Sequence, residues 1–473
     1  MSDVTKRLSM GIGGALAVLA IVVAIVVTLL RPAPAAEPEF RLPLAERVPG
    51  AVLPAAADAV LPEIGTEAPA PSADALDGVL LRLIAIKALG TGASIDVMDP
   101  LTGQHLMSEG QTVPRTPAST TKLLTAAAVL TAVGPQTTLP TTVVAGASPG
   151  QVVLVGGGDV MLSAGAGNPA LVNGRAGLRD LAQQTAKALL AKNQKSVRLT
   201  LDDRLFSGPS RSPRWSASDV ADGYVAPIQA LEINGGRIRS GHNVARSADP
   251  ALVAAQTFAG LLSKRGIKVT GTIRRGAAPK SADGEAVLGR VDSAPISSLV
   301  EYTLTESDNT VAEALGRLVA ISAGQPGSFK AAGPAVLAEL GSLGVPVTGA
   351  VLSDTSGLGD GSAVPAQTMT GVLALATGSE QPQLRAVLSG LPIAAVSGTL
   401  LDRFSDSEQH GATGVVRAKT GTLTGVSSLA GTVVDNDGRL LVFAAMADKV
   451  TSTTAARAAL DRLATTLAGC GCR

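Results

Sequence analysis

From Met10 to Leu30 the chain runs for 21 residues without a charged side chain, and Thr28 is the only polar one among them. As a helix at about 1.5 Å per residue this run spans roughly 30 Å, the thickness of a bilayer's hydrocarbon core. Lys6 and Arg7 precede it and Arg31 follows, a flank that favours a cytoplasmic N-terminus and an exported body. The run is longer than a signal-peptide core of about 7–15 residues, so it predicts a retained anchor within residues 1–31. Ala33-Pro34-Ala35 offers a weak cleavage site, and secretion is the alternative. Nine of the 28 prolines then fall between Pro32 and Pro71, among alanines and a few acids. That pattern predicts a semi-extended linker over 32–78.

The body alternates two periodicities. Residues 79–84 predict an amphipathic helix, 94–99 a strand, and 99–103 a turn into a return strand from Gln104. A helix is expected over about 119–133, closed by Gly134-Pro135. It is apolar on every side, so it belongs at the centre of a core. Residues 146–289 show short strands, at 152–155 and 197–201, with helices between them. Paired helices, about 296–304 and 310–322, flank Ser307. Strands are expected near 415–421, 427–434 and 440–446. The last two are joined by the hairpin signal Asp435-Asn436-Asp437-Gly438. An amphipathic helix over about 452–467 ends the chain, and no internal repeat is visible.

Composition narrows the function. Hydrophobic residues make up 46% of the chain and charged residues 16%, enough for a large core and unlike a disordered protein. The 39 basic and 38 acidic residues cancel, which argues against nucleic acid as a default partner. Aromatics are only 2%, too few for base-stacking platforms. The three histidines, His105, His242 and His410, are far apart and read as surface or locally bonded residues. The only cysteines are Cys470 and Cys472. No zinc motif can be built from that inventory, and no metal or cofactor is expected. The Cys-Gly-Cys end reads as a disordered tail, because a Cys-x-Cys ring is strained.

Three short blocks carry candidate chemistry. Ser119-Thr120-Thr121-Lys122 opens the apolar helix, and Ser119 and Lys122 share a face one turn apart. It is the only Ser-x-x-Lys in the chain. A serine hydroxyl needs a base to become a nucleophile. Burial and the positive end of a helix would both disfavour the lysine charge and free its lone pair. The plain alternative is a capping serine and a solvated lysine. Ser307-Asp308-Asn309, between two helices, puts a hydroxyl and an amide in one tight turn; its plain alternative is an Asx turn with a helix cap. Lys419-Thr420-Gly421-Thr422 ends a strand, where glycine lets a ligand approach and the cation and hydroxyls suit a carboxylate. A solvated edge lysine is its alternative.

Together, each occurring once and in this order, the three blocks resemble the motifs of serine penicillin-recognising enzymes, the penicillin-binding proteins and serine β-lactamases. Pro117-Ala118 before Ser119, Gly156-Gly157-Gly158-Asp159, Tyr224-Val225-Ala226-Pro227, Asn234-Gly235-Gly236 and Leu391-Pro392-Ile393-Ala394 are similar to class C low-molecular-mass penicillin-binding proteins. These are D-alanyl-D-alanine carboxypeptidases and endopeptidases. The resemblance covers about residues 80 to 450. It implies a transpeptidase-like α/β (α+β) fold, an antiparallel sheet flanked by helices. The 188 residues from Ser119 to Ser307 imply an inserted domain. The expected division is a catalytic domain over 79–145 and 290–468 with an insert over 146–289.

The resemblance further implies Ser119 as nucleophile, Lys122 as its base, and Ser307 and Asn309 as the second edge of the site. Lys419, Thr420 and Thr422 would hold the substrate carboxylate, and the N–H groups of Ser119 and Thr422 the oxyanion. Peptidoglycan stem peptides and β-lactams are the implied ligands. The alternatives are a β-lactamase or esterase with the same apparatus, or an inactive scaffold. No Glu-x-x-Leu-Asn loop follows Asn309, and all three motifs are intact. The only tryptophan, Trp215, lies nine residues before Tyr224, with Asp219 between them. Two readings are open: the rings cover the seam between insert and body, or they line the substrate cleft with Asp219 meeting the amine of the stem peptide's diamino acid. One departure stands out. The family's Ser-Gly-Leu-Ser-Arg block reads Ser356-Gly357-Leu358-Gly359-Asp360 here, so an arginine expected near that side chain is missing.

Overall fold

A computed structural model describes residues 67–279 and 287–472. The expected anchor and most of the linker lie outside them. Among the described residues, no helix is long and apolar enough to cross a membrane.

In chain order the strands are β1 (Gly92–Asp99), β2 (Gln104–Glu109), β3 (Pro140–Ala145), β4 (Gln151–Gly156), β5 (Asp159–Leu162), β6 (Ser196–Asp202), β7 (Leu231–Ile233), β8 (Lys268–Val269), β9 (Arg274–Arg275), β10 (Val287–Asp292), β11 (Arg417–Leu423), β12 (Val426–Val434) and β13 (Leu440–Asp448). Five of them form one antiparallel sheet in the order β11-β12-β13-β1-β2. The first and last strands among the described residues therefore meet inside the sheet, through the β1–β13 pair.

Side-chain alternation explains why this sheet is covered on both faces. Along β13, Leu441, Phe443, Ala445 and Ala447 enter one core with Leu460, Leu463 and Leu467 of the last helix, Thr453–Ala468. Val442, Ala444 and Met446 enter the opposite core with helix Thr121–Ala132. Every residue from Thr121 to Leu130 is buried, including Lys122. That is what a helix without a polar face requires, and it fixes the first motif at the centre of the molecule. Truncating Leu123 or Leu124, both fully buried, would cost about 2–5 kcal/mol.

A second, mixed sheet runs β10-β3-β4-β6-β8, with β9 beside β6. Its parallel pairs are β4–β6, β6–β8 and β6–β9; helix Leu178–Ala191 joins the first and helix Pro250–Ser263 lies between β6 and β8, as parallel neighbours demand. The helices pack Leu181, Leu189 and Phe258 onto Val143, Leu154 and Leu199. Strand β3 ends where the expected insert begins, and β10 straddles its expected end.

The C-terminal tail corrects the sequence reading. Cys470 is buried and disulfide-linked to Cys472. The Cys472 carbonyl accepts from the Ser72 N–H at 2.8 Å, and that of Cys470 from the Asn436 N–H at 3.2 Å. Leu467 and Ala468 carry the apolar face of the last helix into this contact, so the tail is packed.

Candidate active site

Ser119 sits in a short 3₁₀ turn, Ala118–Thr120, that feeds helix Thr121–Ala132. Ala118 has φ 48°, an uncommon value for a residue with a side chain. Two hydroxyls pin the turn at the Pro117 carbonyl: Thr120 Oγ1 donates at 2.7 Å and Ser428 Oγ, from β12, at 2.6 Å. Strand β11 passes against the same turn. A Cβ on Gly421 would lie 2.5 Å from the Pro117 oxygen and 3.1 Å from the Ser119 nitrogen. Only glycine lets β11 come this close, which brings Thr422 beside Ser119.

Lys122 Nζ lies 3.0 Å from Ser119 Oγ. It also donates to Asn309 Oδ1 at 2.6 Å and to the Ser356 carbonyl at 2.7 Å. Lys122 is fully buried. Burial lowers its pKa to about 8, against the charges of Asp354, Glu313 and Asp308, which favour the ammonium form. The amine is therefore held at the boundary between acid and base near neutral pH.

The second motif sits where two helices meet. Helix Ile296–Glu306 ends at Ser307 in the left-handed conformation (φ 56°, ψ 36°), and Asp308 caps helix Asn309–Ser322 by accepting from the Val311 N–H at 3.0 Å. Asp308 is held from the other sheet's segment, because Arg237 Nη2 donates to its Oδ2 at 2.8 Å with both side chains buried. Burial pushes the Asp308 carboxyl up, but Arg237 and Arg246 outweigh it and hold it below the usual range. Asn234, Gly235 and Gly236 take successive positive φ values of 50°, 57° and 69°, which turns the chain sharply enough to aim Arg237 inward. Asn309 Nδ2 donates to the Tyr224 carbonyl at 3.0 Å, so the amide oxygen faces Lys122.

Lys419 is fully buried at the edge of the five-stranded sheet. Its Nζ donates to Ser307 Oγ at 2.9 Å and to the Thr420 carbonyl at 2.9 Å. Burial and the charge of Lys122 hold it well below the usual lysine range. The side chain serves the Ser307 hydroxyl and does not line the cleft, whereas Thr422 does. Thr420 Oγ1 pairs with Thr399 Oγ1 at 2.8 Å.

Ser119, Ser307, Asn309 and Thr422 open on one cleft of about 520 Å³, with Asp219 and Tyr224 in its wall. Trp215 is not there, which corrects the cleft reading for this ring and leaves it the other one, a ring between the expected insert and the expected body. Its indole packs edge-on against Phe329 at 5.1 Å and donates to Asp354 Oδ2 at 2.9 Å. A large ring with one polar handle buries itself where that handle finds an acceptor. Asp219 lines the cleft while its Oδ2 accepts from the Ser216 N–H at 2.7 Å, part of a capping box.

Sequence reasoning missed the acids beneath Lys122. Glu313 accepts from the N–H groups of Thr355 and Ser356 at 3.1 and 2.8 Å. Asp354 accepts from those of Gly357 and Gly359 at 2.8 and 2.7 Å. Together they shape the 354–359 loop that offers the Ser356 carbonyl to Lys122. Burial pushes both carboxyls up. The block Ser356-Gly357-Leu358 was visible in sequence, but nothing local tied it to Lys122, 234 residues away. Among the described residues no acid, histidine and cysteine cluster suits a metal ion.

The model of the D-Ala-D-Ala carboxypeptidase 3 (S13) family matches residues 79–243 and 239–468. A carboxypeptidase DacB of Mycolicibacterium smegmatis is 38% identical over 434 residues, covering 90% of this chain and 91% of its own. A carboxypeptidase of Mycobacterium tuberculosis is 39% identical over 418 residues, 87% of each. The crystal structure of penicillin binding protein 4 (dacB) from Haemophilus influenzae superposes with a TM-score of 0.66 at 22% identity, over 82% of this chain and 98% of that one. That likeness is one of fold, the mixed architecture described above. By the extent of the family match and of its relatives, the chain belongs to the S13 family of D-Ala-D-Ala carboxypeptidases.

Proposed function

We infer that this chain is a serine D-alanyl-D-alanine carboxypeptidase and endopeptidase that acts on peptidoglycan stem peptides and is acylated by β-lactams. The observation that carries the reading is the buried Lys122 amine at 3.0 Å from Ser119 Oγ, with Asn309 at 2.6 Å. In its neutral form Lys122 takes the Ser119 proton as Oγ bonds to the carbonyl carbon between the two D-alanines. The resulting oxyanion is received by the N–H groups of Ser119 and Thr422; one such donor is worth about 3–4 kcal/mol in the transition state. As the C–N bond breaks, Ser307 Oγ gives its proton to the leaving amine and takes in exchange the proton held by Lys122, which returns Lys122 to its neutral form. Lys419 keeps the Ser307 hydroxyl oriented. Water then attacks the acyl-enzyme; Lys122 takes its proton and returns it to Ser119 Oγ as the ester bond breaks. A β-lactam follows the first half of this path, its ring nitrogen leaving but remaining tethered.

Asp219 supplies the cleft with a carboxylate for the side-chain amine of the diamino acid, beside the Tyr224 ring. At the missing arginine stands Asp360, which is exposed, so the far end of that side chain meets a different wall. The anchor expected over residues 10–30 would hold the body outside the cytoplasmic membrane.

Mass spectrometry of the intact protein, first with penicillin and then with a muropeptide, tests the reading. An adduct on the tryptic peptide that begins at Thr116, absent in Ser119→Ala, and loss of one D-alanine from the muropeptide are expected. An adduct elsewhere overturns the assignment of Ser119. Rapid release of the penicillin adduct, with no muropeptide product, overturns the peptidase reading in favour of a β-lactamase. The same spectrum reports whether residues 1–31 are retained.

A further inference from the structure

A second cavity, of about 390 Å³, opens on Ser119 and Ser307 and is walled by Thr420, Thr422, Arg403 and Arg457. It holds both hydroxyls of the third motif. A carboxylate leaving water for such a cavity needs charge-assisted donors. The two lysines of the site are poor sources. Both are fully buried, and neither lines this cavity or the larger cleft. Lys419 is spent on Ser307 and the Thr420 carbonyl, and Lys122 on Ser119, Asn309 and the Ser356 carbonyl.

The arginines remain. Arg403 is matched: its Nε donates to Asp461 Oδ2 at 3.2 Å. Its Nη2 also reaches the Arg457 carbonyl at 3.4 Å, bracing the turn that carries Arg457. Arg457 itself is exposed, and among the described residues no carboxylate lies within 4.0 Å of its guanidinium. It borders both the 390 Å³ cavity and the larger cleft, as does Thr422. Thr453, one turn earlier on helix Thr453–Ala468, also lines the larger cleft, so this helix face looks onto the site. Asp402 and Thr399 complete the smaller cavity. Asp402 is exposed and outside ion-pair distance of Arg457.

We propose that Arg457 is the cation that recognises the free carboxylate at the C-terminal end of the substrate, together with the Thr420 and Thr422 hydroxyls. This rests on the reading that those hydroxyls meet that carboxylate. It divides the roles in the third motif. Lys419 orients Ser307, the threonines give direction to the carboxylate, and a guanidinium from the last helix gives charge.

The test compares two peptides ending in D-alanyl-D-alanine, one a free acid and one a C-terminal amide, for the parent, Arg457→Gln and Arg457→Lys. The readout is the ratio of kcat/KM values, acid over amide. The parent ratio should be well above one. It should fall by about tenfold to a hundredfold in Arg457→Gln, as loss of one charged hydrogen bond does, and be partly restored in Arg457→Lys. Acylation by a β-lactam and by its carboxylate methyl ester gives the same ratio without the turnover step. If the parent prefers the acid and Arg457→Gln keeps that preference, Arg457 is not the recognition group and the threonine reading stands. If the parent shows no preference, the carboxylate reading itself fails, and this proposal with it.

Discussion

Asn309 Oδ1 accepts a hydrogen bond from Lys122 Nζ at 2.6 Å, across 187 residues of sequence. The same nitrogen lies 3.0 Å from the Ser119 hydroxyl. The first and second motifs therefore share one amine, and the amide fixes which way its lone pair turns once the proton is lost. Tyr224, whose carbonyl holds the other end of that amide, is the reason the amide cannot flip.

The first prediction concerns the charge of Lys122. Burial sets its pKa at about 8, and only the neutral amine accepts the serine proton. The penicillin acylation rate should rise with pH and level off above about 8. Lys122→Arg keeps the charge but cannot lose it usefully, so acylation should fall by about 10²–10⁴-fold. Stopped-flow acylation across pH 6–10 checks both, and a flat profile for the parent would place the proton elsewhere.

Glu313 tunes that same limb. Its charge favours the Lys122 ammonium, and its oxygens hold the Thr355 and Ser356 N–H groups. Glu313→Gln keeps one carbonyl oxygen for both N–H groups and lets the amide donate to Thr355 Oγ1. With the negative charge gone, Lys122 should lose its proton at lower pH. The acid limb of the acylation profile is expected to move below its parent position. A limb that stays or moves upward would show that Glu313 acts on loop shape alone.

Asp219 faces the cleft that holds Ser119. Asp219→Asn keeps an oxygen for the Ser216 N–H of the capping box but removes the charge. Assayed on two stem peptides, one with a free side-chain amine and one acetylated, the parent should prefer the free amine and the variant should not. Preference retained in the variant would remove Asp219 from substrate recognition.

Glu232 offers a stability test away from the chemistry. It is fully buried, its Oε2 has no hydrogen-bond partner, and burial raises its pKa to about 8. In the unfolded chain it ionises near 4.5. Between those values the unfolded state gives up the proton and the folded state keeps it, so folding stability falls as pH rises from about 4.5 to 8. Glu232→Gln removes this loss. Its melting temperature should exceed the parent's at pH 8, with the gap closing toward pH 5. A gap independent of pH would mean that the effect is one of packing.

What the sequence determined by itself is local. The spacing of Ser119 and Lys122 places them one turn apart, the apolar run after them demands a central position, and the Asp435–Gly438 turn sets the β12–β13 register. These depend on neighbours within a few residues, and the structure follows them closely: the expected helix at 310–322 is Asn309–Ser322 and the strand at 427–434 is Val426–Val434. The three motifs, in order, also carried the family resemblance. What only the tertiary structure decided is which groups share a dielectric environment. Lys419 reads in sequence as a cation for the substrate, and its place beneath Ser307 buries it fully with its amine on the Ser307 hydroxyl. Trp215 left two readings open in sequence, a seam ring or a cleft ring, and is buried away from the cleft because Asp354 and Phe329 lie beside it. Glu313, Asp354, Arg237 and Arg457 carry no local signature, since a charge becomes part of a site only through what surrounds it. Burial of a lysine is a property of the whole fold, and so is the lowering of its pKa that burial brings.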